Sequence, residues 1–501
     1  MTDISQFTGE LLKSMGLFLP ETTLIITFLV AIMADLISGK KHFAGYVVMA
    51  GLLVTAFFLM RQTGIESASF AGLLVIDPFG QFIKFIVLIT TLLVIMFSFI
   101  SKELHHSHAK LGEYYILMTG MVIGMFLLAS SANLIMIYIA IETMSISSYI
   151  LAGYTKEVKR STEASLKYVI FGAVSSGIML YGMSILFGLT GSLSLLEINT
   201  FLMNNSVESI TLLLSGIMIL AGFGYKISAV PFHFWTPDVY EGSPITITAL
   251  LSVASKAAGF AVILRFFKVV FSAGLGSENV AWSIIGSIDW HFVIAVLAVL
   301  TMTLGNLVAL WQTNMKRMLA YSSIAHAGYM LMAVAVLDNT GVAAVLIYFF
   351  MYMIMNLGAF LVVQLVADKL DSESIDIFNG LGYRSPLIAA VFTLFLISLT
   401  GLPPTAGFIG KLYVFSSVVN AGYLWLAVIG VLNSVISLYY YVRVIRNMYL
   451  RDIESTQPKL TFSVSALALV MLLAIPTLIL GLYFSPVIEW ANASIAIFTG
   501  H

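Results

Sequence analysis

Five lysines, one glutamate and two histidines stand inside long apolar stretches of this 501-residue chain: Lys84, Lys167, Lys226, Lys256, Lys411, Glu142, His233 and His326. A charged side chain near the centre of an apolar helix costs roughly 2.5 to 3.5 kcal/mol on insertion scales, so by default it marks a pathway or a partner. Amines, carboxylates and imidazoles have one chemistry in common, the uptake and release of protons. Lys256, in LLSVASKAAGFAVILRF, is the deepest. It lies 13 residues into its stretch, about 20 Å along a helix, and a lysine stem cannot reach either surface from there. Lys226 precedes Pro231 in GYKISAVPFHFWTPDVYEGSP, and Lys411 follows Pro403 and Pro404 in GLPPTAGFIGK. Proline removes a backbone donor and clashes with the preceding turn, so both stretches are expected to be discontinuous helices. Freed backbone inside a membrane is tolerated where it is buried in protein or lines a wet cavity.

Glu142, in NLIMIYIAIETMSISSYIL, is the one carboxylate near the centre of a stretch. It needs a cation, and Lys226 is the candidate; the alternative is a neutral Glu142 bonded to hydroxyls such as Thr143 and Ser145. Lys167 lies about one turn into its stretch, where snorkelling competes with a relay role, and the similarly shallow Lys84 is assigned the bland role. His233 and His326 are candidate proton relays, although a core histidine bonded to a hydroxyl is a common arrangement. His105, His106 and His108 read as a solvated loop face, and no metal site is assigned.

The elements that hold these groups follow from composition. The chain is 60% hydrophobic and 10% charged, with a formal net charge of -1. A soluble chain carries about 25% charged residues, so this surface faces lipid. The balance excludes a water-soluble enzyme, a nucleic-acid binder and a disordered chain. With no cysteine, disulfides, thiolate-held Fe–S clusters and thiolate zinc sites are excluded as well.

Fourteen apolar runs are long enough to span a bilayer: 16–37, 42–60, 79–100, 111–129, 133–153, 163–189, 207–230, 243–270, 287–311, 317–337, 341–367, 385–421 (interrupted), 424–448 and 460–485. Their continuity predicts an all-α integral membrane protein rather than a barrel, whose strands would alternate over about 10 residues. Residues 1–14 include Asp3 and Glu10 and give no sign of a cleavable signal. Odd-numbered loops and their helix ends carry fifteen Lys and Arg, the other side four, and the remaining five of the 24 are the intramembrane lysines. By the positive-inside rule the odd loops are cytoplasmic and both termini face the opposite compartment.

The spacing suggests an internal repeat. From Lys226 to Lys411 the numbering advances by 185, and from Glu142 to His326 by 184, so the two offsets agree within one position. Five spans separate the copies, an odd number, which makes the repeat inverted. The expected divisions are 1–110 (spans 1–3), 111–270 (spans 4–8), 287–448 (spans 9–13) and 460–501 (span 14 and tail).

These residues carry a resemblance. The segments IETMSISSYIL, STEASLKYVIFGAVSSG, GYKISAVPFHFWTPDVYEGSP, MKRMLAYSSIAHAGY and GLPPTAGFIGK, with the Lys256 span, resemble the antiporter-like subunits of respiratory complex I over essentially the whole chain. The resemblance implies two inverted five-helix units, spans 4–8 and 9–13, with spans 7 and 12 discontinuous. It implies proton translocation through Glu142, Lys167, Lys226, Lys256 and Lys411. Quinone, flavin and Fe–S clusters are then expected in partner subunits and none in this chain. Neighbours of the M and K types, a bacterial inner membrane and no nucleic-acid partner are implied too. The M type carries a carboxylate where this chain has Lys411, and the L type continues into a long lateral helix, whereas this sequence stops soon after its last span. The rival reading is a subunit of a multisubunit cation/proton antiporter, which would need a carboxylate cage for its metal ion.

Overall fold

The computed structural model describes residues 2–38, 41–106, 111–273, 282–286, 288–451 and 459–499. Lys40, Lys110 and His108 lie outside these residues, as does the side chain of His106. Among the described residues, thirteen helices are long and apolar enough to cross a membrane, and Pro386–Thr400 with Ala406–Asn420 completes an interrupted fourteenth. Spans 1–3 are Leu19–Ser38, Phe43–Arg61 and Pro78–Ile100. Spans 4–6 are Leu111–Ser130, Leu134–Ala152 and Lys159–Thr190. Span 7 is Ser209–Ile227 followed, after a break holding Pro231, by Trp235–Gly242. Span 8 is Ile245–Leu250, a π turn over Leu251–Ser255 and Lys256–Phe271. Spans 9–11 are Trp290–Ala309, Met315–Ala335 and Asn339–Leu370, and spans 13 and 14 are Leu424–Leu450 and Val464–Leu482.

The breaks in spans 7 and 12 fall where the prolines place them. Three further helices of nine or more residues had no counterpart in the sequence reading: Thr2–Leu17, Leu195–Asn204 and Ser485–Ala493. The last of these folds back onto the bundle, with the Trp490 ring 4.2 Å from that of Phe82.

The two five-helix units are built from the same set of contacts. Span 4 packs on 5 as 9 packs on 10, 5 on 6 as 10 on 11, and 6 on both halves of 7 as 11 on both halves of 12. Spans 4 and 7 close on 8 as spans 9 and 12 close on 13. Between the units, the second half of span 7 meets span 10, and span 8 meets span 11. Details repeat as well. Asn133 and Asn314 cap spans 5 and 10 through their side chains. A methyl group on Gly124 would lie 2.5 Å from the backbone nitrogen of Met144, and one on Gly305 2.6 Å from that of Ala325. All three pairs of positions, Asn133 with Asn314, Gly124 with Gly305 and Met144 with Ala325, share one offset, 181. The repeat is therefore present at an offset of 181 rather than the expected 184 or 185, and the counterpart of Glu142 is Ser323, one turn before His326.

Ion pairs tie loops of like parity. On the odd face, Lys102 meets Asp371 at 2.7 Å, Lys316 meets Glu373 at 2.7 Å, and Arg317 meets Asp238 at 2.6 Å. On the even face, Arg265 grips Asp77 with Nη1 at 2.6 Å and Nη2 at 3.0 Å, and the backbone N–H of Phe498 donates to the same carboxylate at 2.9 Å. The C-terminal tail thus shares a face with loop 2, opposite Lys159. Burial raises the proton affinity of Asp77, but the Arg265 guanidinium and the donated N–H bonds outweigh it and hold the carboxyl below its ordinary range.

Candidate functional site

Spans 5 to 8, 10 and 12 bring most of the candidates into a buried row. Lys226 occupies the last turn of the first half of span 7, whose end Ser228 turns into the left-handed region at φ 63°. The residue is 2% exposed, and its ammonium has no hydrogen-bond partner among the described residues. Glu142 stands on span 5, and its Oε1 is likewise unpartnered among the described residues. The direct ion pair expected from the sequence is not formed among the described residues: one central cation and one central carboxylate need not touch. The rings of Tyr149, Tyr168 and Tyr225 surround Lys226 Nζ instead.

Lys256 follows the π turn directly, where one extra residue in the helix re-aims the side chains beyond it. It is 1% exposed and donates to Ser323 twice, to the carbonyl and to Oγ, each at 2.8 Å. Ser323 belongs to span 10, so this lysine of the first unit is anchored on the second. Its helix passes close to Lys226: a methyl group on Gly259 would lie 3.5 Å from Lys226 Cβ. One turn beyond Ser323, the His326 imidazole is buried between Tyr348, whose hydroxyl is 2.6 Å from Nδ1, and Tyr441, whose hydroxyl is 3.4 Å from Nε2.

Lys411 completes the row in the second half of span 12. Its Nζ donates to the carbonyl of Thr400 at 2.7 Å and to Ser434 Oγ at 3.1 Å, and it lies 4.6 Å from the Tyr329 ring centroid. Thr400 ends the first half of the span, so the lysine satisfies a carbonyl that the break leaves without its helical donor. Gly401 adopts φ +87°, and a methyl group there would lie 2.6 Å from Lys411 Cδ. Glycine is needed at this corner for the turn and for the closeness of the lysine stem.

Two candidates stand apart from the row. Lys167 is 37% exposed at the odd face, paired with Asp238 at 2.6 Å and Glu163 at 2.8 Å. Arg317 joins this cluster through both Asp238 and Glu241. His233 lies in the break of span 7, buried, with no partner for its Nδ1 among the described residues and its ring 4.5 Å from that of Phe234. Beside the Lys167 cluster, a cavity of about 940 Å³ opens between the units on the odd face, lined by Lys102, Glu103, Arg160, Glu241, Lys316 and Glu373 among others. Burial pushes the Glu103 carboxyl up from its ordinary range, although it accepts the Ile245 N–H at 3.2 Å.

One smaller expectation differs from the structure. Lys84 does not snorkel: it is buried and bound to Glu21 of span 1 at 2.5 Å, a partner that reading one helix at a time could not reveal. His105 is half-buried in its loop, with its Nε2 2.8 Å from Nε2 of His42. The residues that sequence reasoning missed, Asp238, Ser323, Tyr348, Tyr441 and the three tyrosines at Lys226, look like ordinary polar or core positions along a helix; only their convergence on the lysines marks them.

The family profile described as NADH:quinone oxidoreductase/Mrp antiporter, TM, matches residues 131–437, which hold the whole row. The chain belongs to this family. It is 47% identical, over 99% of its length and 97% of the relative's, to NADH-quinone oxidoreductase subunit N 2 of Chloroherpeton thalassium. It is 45% identical, over 99% and 98%, to NADH-quinone oxidoreductase subunit N of Chlorobium chlorochromatii. A chain in the structure of respiratory complex I from Thermus thermophilus with bound aureothin superposes with a TM-score of 0.78 at 29% identity, covering 94% of this chain and 98% of that one.

Proposed function

We propose that this chain is the N-type proton-translocating membrane-arm subunit of a bacterial NADH:quinone oxidoreductase. The observation that carries the proposal is the buried row itself: Lys226 and Lys256 from the first unit and His326 and Lys411 from the second, joined where Lys256 binds Ser323. A buried ammonium is disfavoured by desolvation and favoured by a nearby carboxylate, so movement of Glu142 relative to Lys226 changes how firmly that proton is held. Two unit charges 4 Å apart interact by about 4 kcal/mol at an effective dielectric of 20, about three decades in occupancy. A proton displaced from Lys226 passes through hydrated polar groups to Lys256, then by Ser323 and His326 toward Lys411. Lys167, at the odd-face cluster with Asp238 and Arg317, acts at the mouth of the row rather than within it. His233, in the break of span 7, is kept as a candidate relay group.

The driving energy arrives from quinone reduction in partner subunits, where the flavin, the Fe–S clusters and the quinone site reside. The neighbours are antiporter-like M and small subunits such as K. The membrane is the bacterial inner membrane with both termini on its non-cytoplasmic side, and the chain divides functionally at 1–110, 111–270, 287–448 and 460–501. The test is Lys256→Ala in the complex purified from native membranes and placed in proteoliposomes. The variant is expected to assemble while proton uptake per NADH oxidised collapses. Pumping equal to that of the parent would reject the relay.

A further inference from the structure

The three buried lysines of the row are held in two different ways. Lys256 has two oxygen acceptors on Ser323, and Lys411 has the Thr400 carbonyl and the Ser434 hydroxyl. Lys226 has none among the described residues, although it is equally buried. What surrounds its Nζ is aromatic: the ring centroids of Tyr225, Tyr149 and Tyr168 lie 5.5, 5.8 and 5.9 Å away. These rings come from spans 7, 5 and 6. Their faces are fixed by one another and by Trp235. Tyr149 meets Tyr168 edge-on at 4.7 Å, and Tyr168 stacks on Trp235 at 4.4 Å with the planes 12° apart. The Tyr225 hydroxyl donates to the Tyr168 carbonyl at 2.8 Å, and Trp235 Nε1 donates to the Tyr225 carbonyl at 3.0 Å.

We propose that Tyr149, Tyr168 and Tyr225 form an aromatic cage that holds Lys226 as an ammonium through their π faces, and that they are positioning residues for proton transfer at Lys226. The idea rests on the relay reading of Lys226. Aromatic faces attract a cation within about 6 Å of the ring centroid, most strongly where water is excluded, and offer a neutral amine no comparable attraction. The cage therefore discriminates between the two protonation states as a carboxylate does, without a directional bond. An ammonium held by π faces can swing toward or away from Glu142 without first breaking a hydrogen bond. Glu142 then biases the proton on Lys226 from a distance, and the cage supplies the rest of the stabilisation.

The test is a graded substitution at Tyr149, which keeps the shape of the site while draining the π face. Tyr149→Phe is followed by phenylalanines bearing one, two and three ring fluorines at the same position. Proton uptake per NADH oxidised is measured against pH in proteoliposomes of the complex. Tyr149→Phe is expected to stay within about twofold of the parent. Each added fluorine should then move the alkaline limit of pumping to lower pH, until the most fluorinated ring has shifted it by about one unit, a tenfold loss of proton occupancy. A flat series overturns the cage, as does a Tyr149→Phe variant as damaged as the most fluorinated one, because then the hydroxyl and not the face matters. Lys226→Met in the same assay separates the two ideas. If it pumps like the parent the relay reading fails and takes the cage with it; if it is inactive while the fluorine series is flat, only the cage fails.

Discussion

Removing the charge of Glu142 should change pumping through Lys226, and the geometry bounds by how much. The two groups form no ion pair, so their nitrogen and oxygen atoms are more than 4.0 Å apart. At an effective dielectric of 20, unit charges couple by about 4 kcal/mol at 4 Å and about 2 kcal/mol at twice that distance. The coupling between them is thus expected at about 1 to 3 kcal/mol, a factor of about 5 to 150 in rate. A double-mutant cycle with Glu142→Gln and Lys226→Met, read as the initial rate of proton uptake per NADH oxidised, measures it. Each single variant should lose pumping, and the double should lose less than the product of the two. Charge reversal, Glu142→Lys with Lys226→Glu, is a sharper probe of the same geometry. A contact ion pair would survive the exchange, whereas a carboxylate among three tyrosine faces is repelled by them, so the exchanged protein is expected to stay inactive. Additivity within about 0.5 kcal/mol would refute the coupling, and Glu142 would then be sought in a role with Lys167.

Three further outcomes follow from the same structure. Reporter fusions at Lys159 and at the C-terminus should lie on opposite sides of the membrane, because the tail is tied to Asp77 on the even face; finding both on one side would overturn the fourteen-span count. Lys84→Ala strands the buried Glu21 carboxylate, so the assembled complex should lose about 3 to 5 kcal/mol of stability, read as a lower melting midpoint in detergent, with most of it regained in Lys84→Met combined with Glu21→Gln. The Asp77 carboxyl is held below its ordinary range in the folded protein. Its contribution to stability is therefore complete above the unfolded value and is lost as pH falls through the folded one. Asp77→Asn should remove that acid-dependent part of the melting profile, and an unchanged acid limb would show that the Arg265 clamp contributes nothing.

The fold was legible because lipid imposes it. A run of about 20 apolar residues has one stable form in a bilayer, and the prolines at 231, 403 and 404 announced the two breaks without any knowledge of neighbours. The deep lysines were legible for the same reason, since their cost demands an explanation. What surrounds them was not. Tyr149, Tyr168 and Tyr225 in apolar runs are indistinguishable from core aromatics, and Ser323 is one hydroxyl among several in its helix. Glu21 and Lys84 lie 63 residues apart on different helices, and nothing in either run names the other.

The repeat shows how a correct inference came with the wrong register. Glu142 and His326 were paired at an offset of 184, whereas the caps and close-packed glycines set it at 181. An error of three positions is close to one helical turn of about 3.6 residues, so it leaves the marked residues on nearly the same face and periodicity cannot expose it. Lys226 and Lys411 are not equivalent either: one closes the helix before its break, the other lies in the helix after its own. With the register corrected, the position that holds the carboxylate Glu142 in the first unit holds Ser323 in the second, and Ser323 is the residue to which Lys256 donates. The second unit thus carries a hydroxyl where the first carries a carboxylate, at the position where a lysine crosses from the other unit. A carboxylate there would add a full opposite charge to bonds that the ammonium already makes charge-assisted, and would hold the proton more firmly. A hydroxyl and a carbonyl hold it without that charge, which is what the proposed relay asks of its middle position.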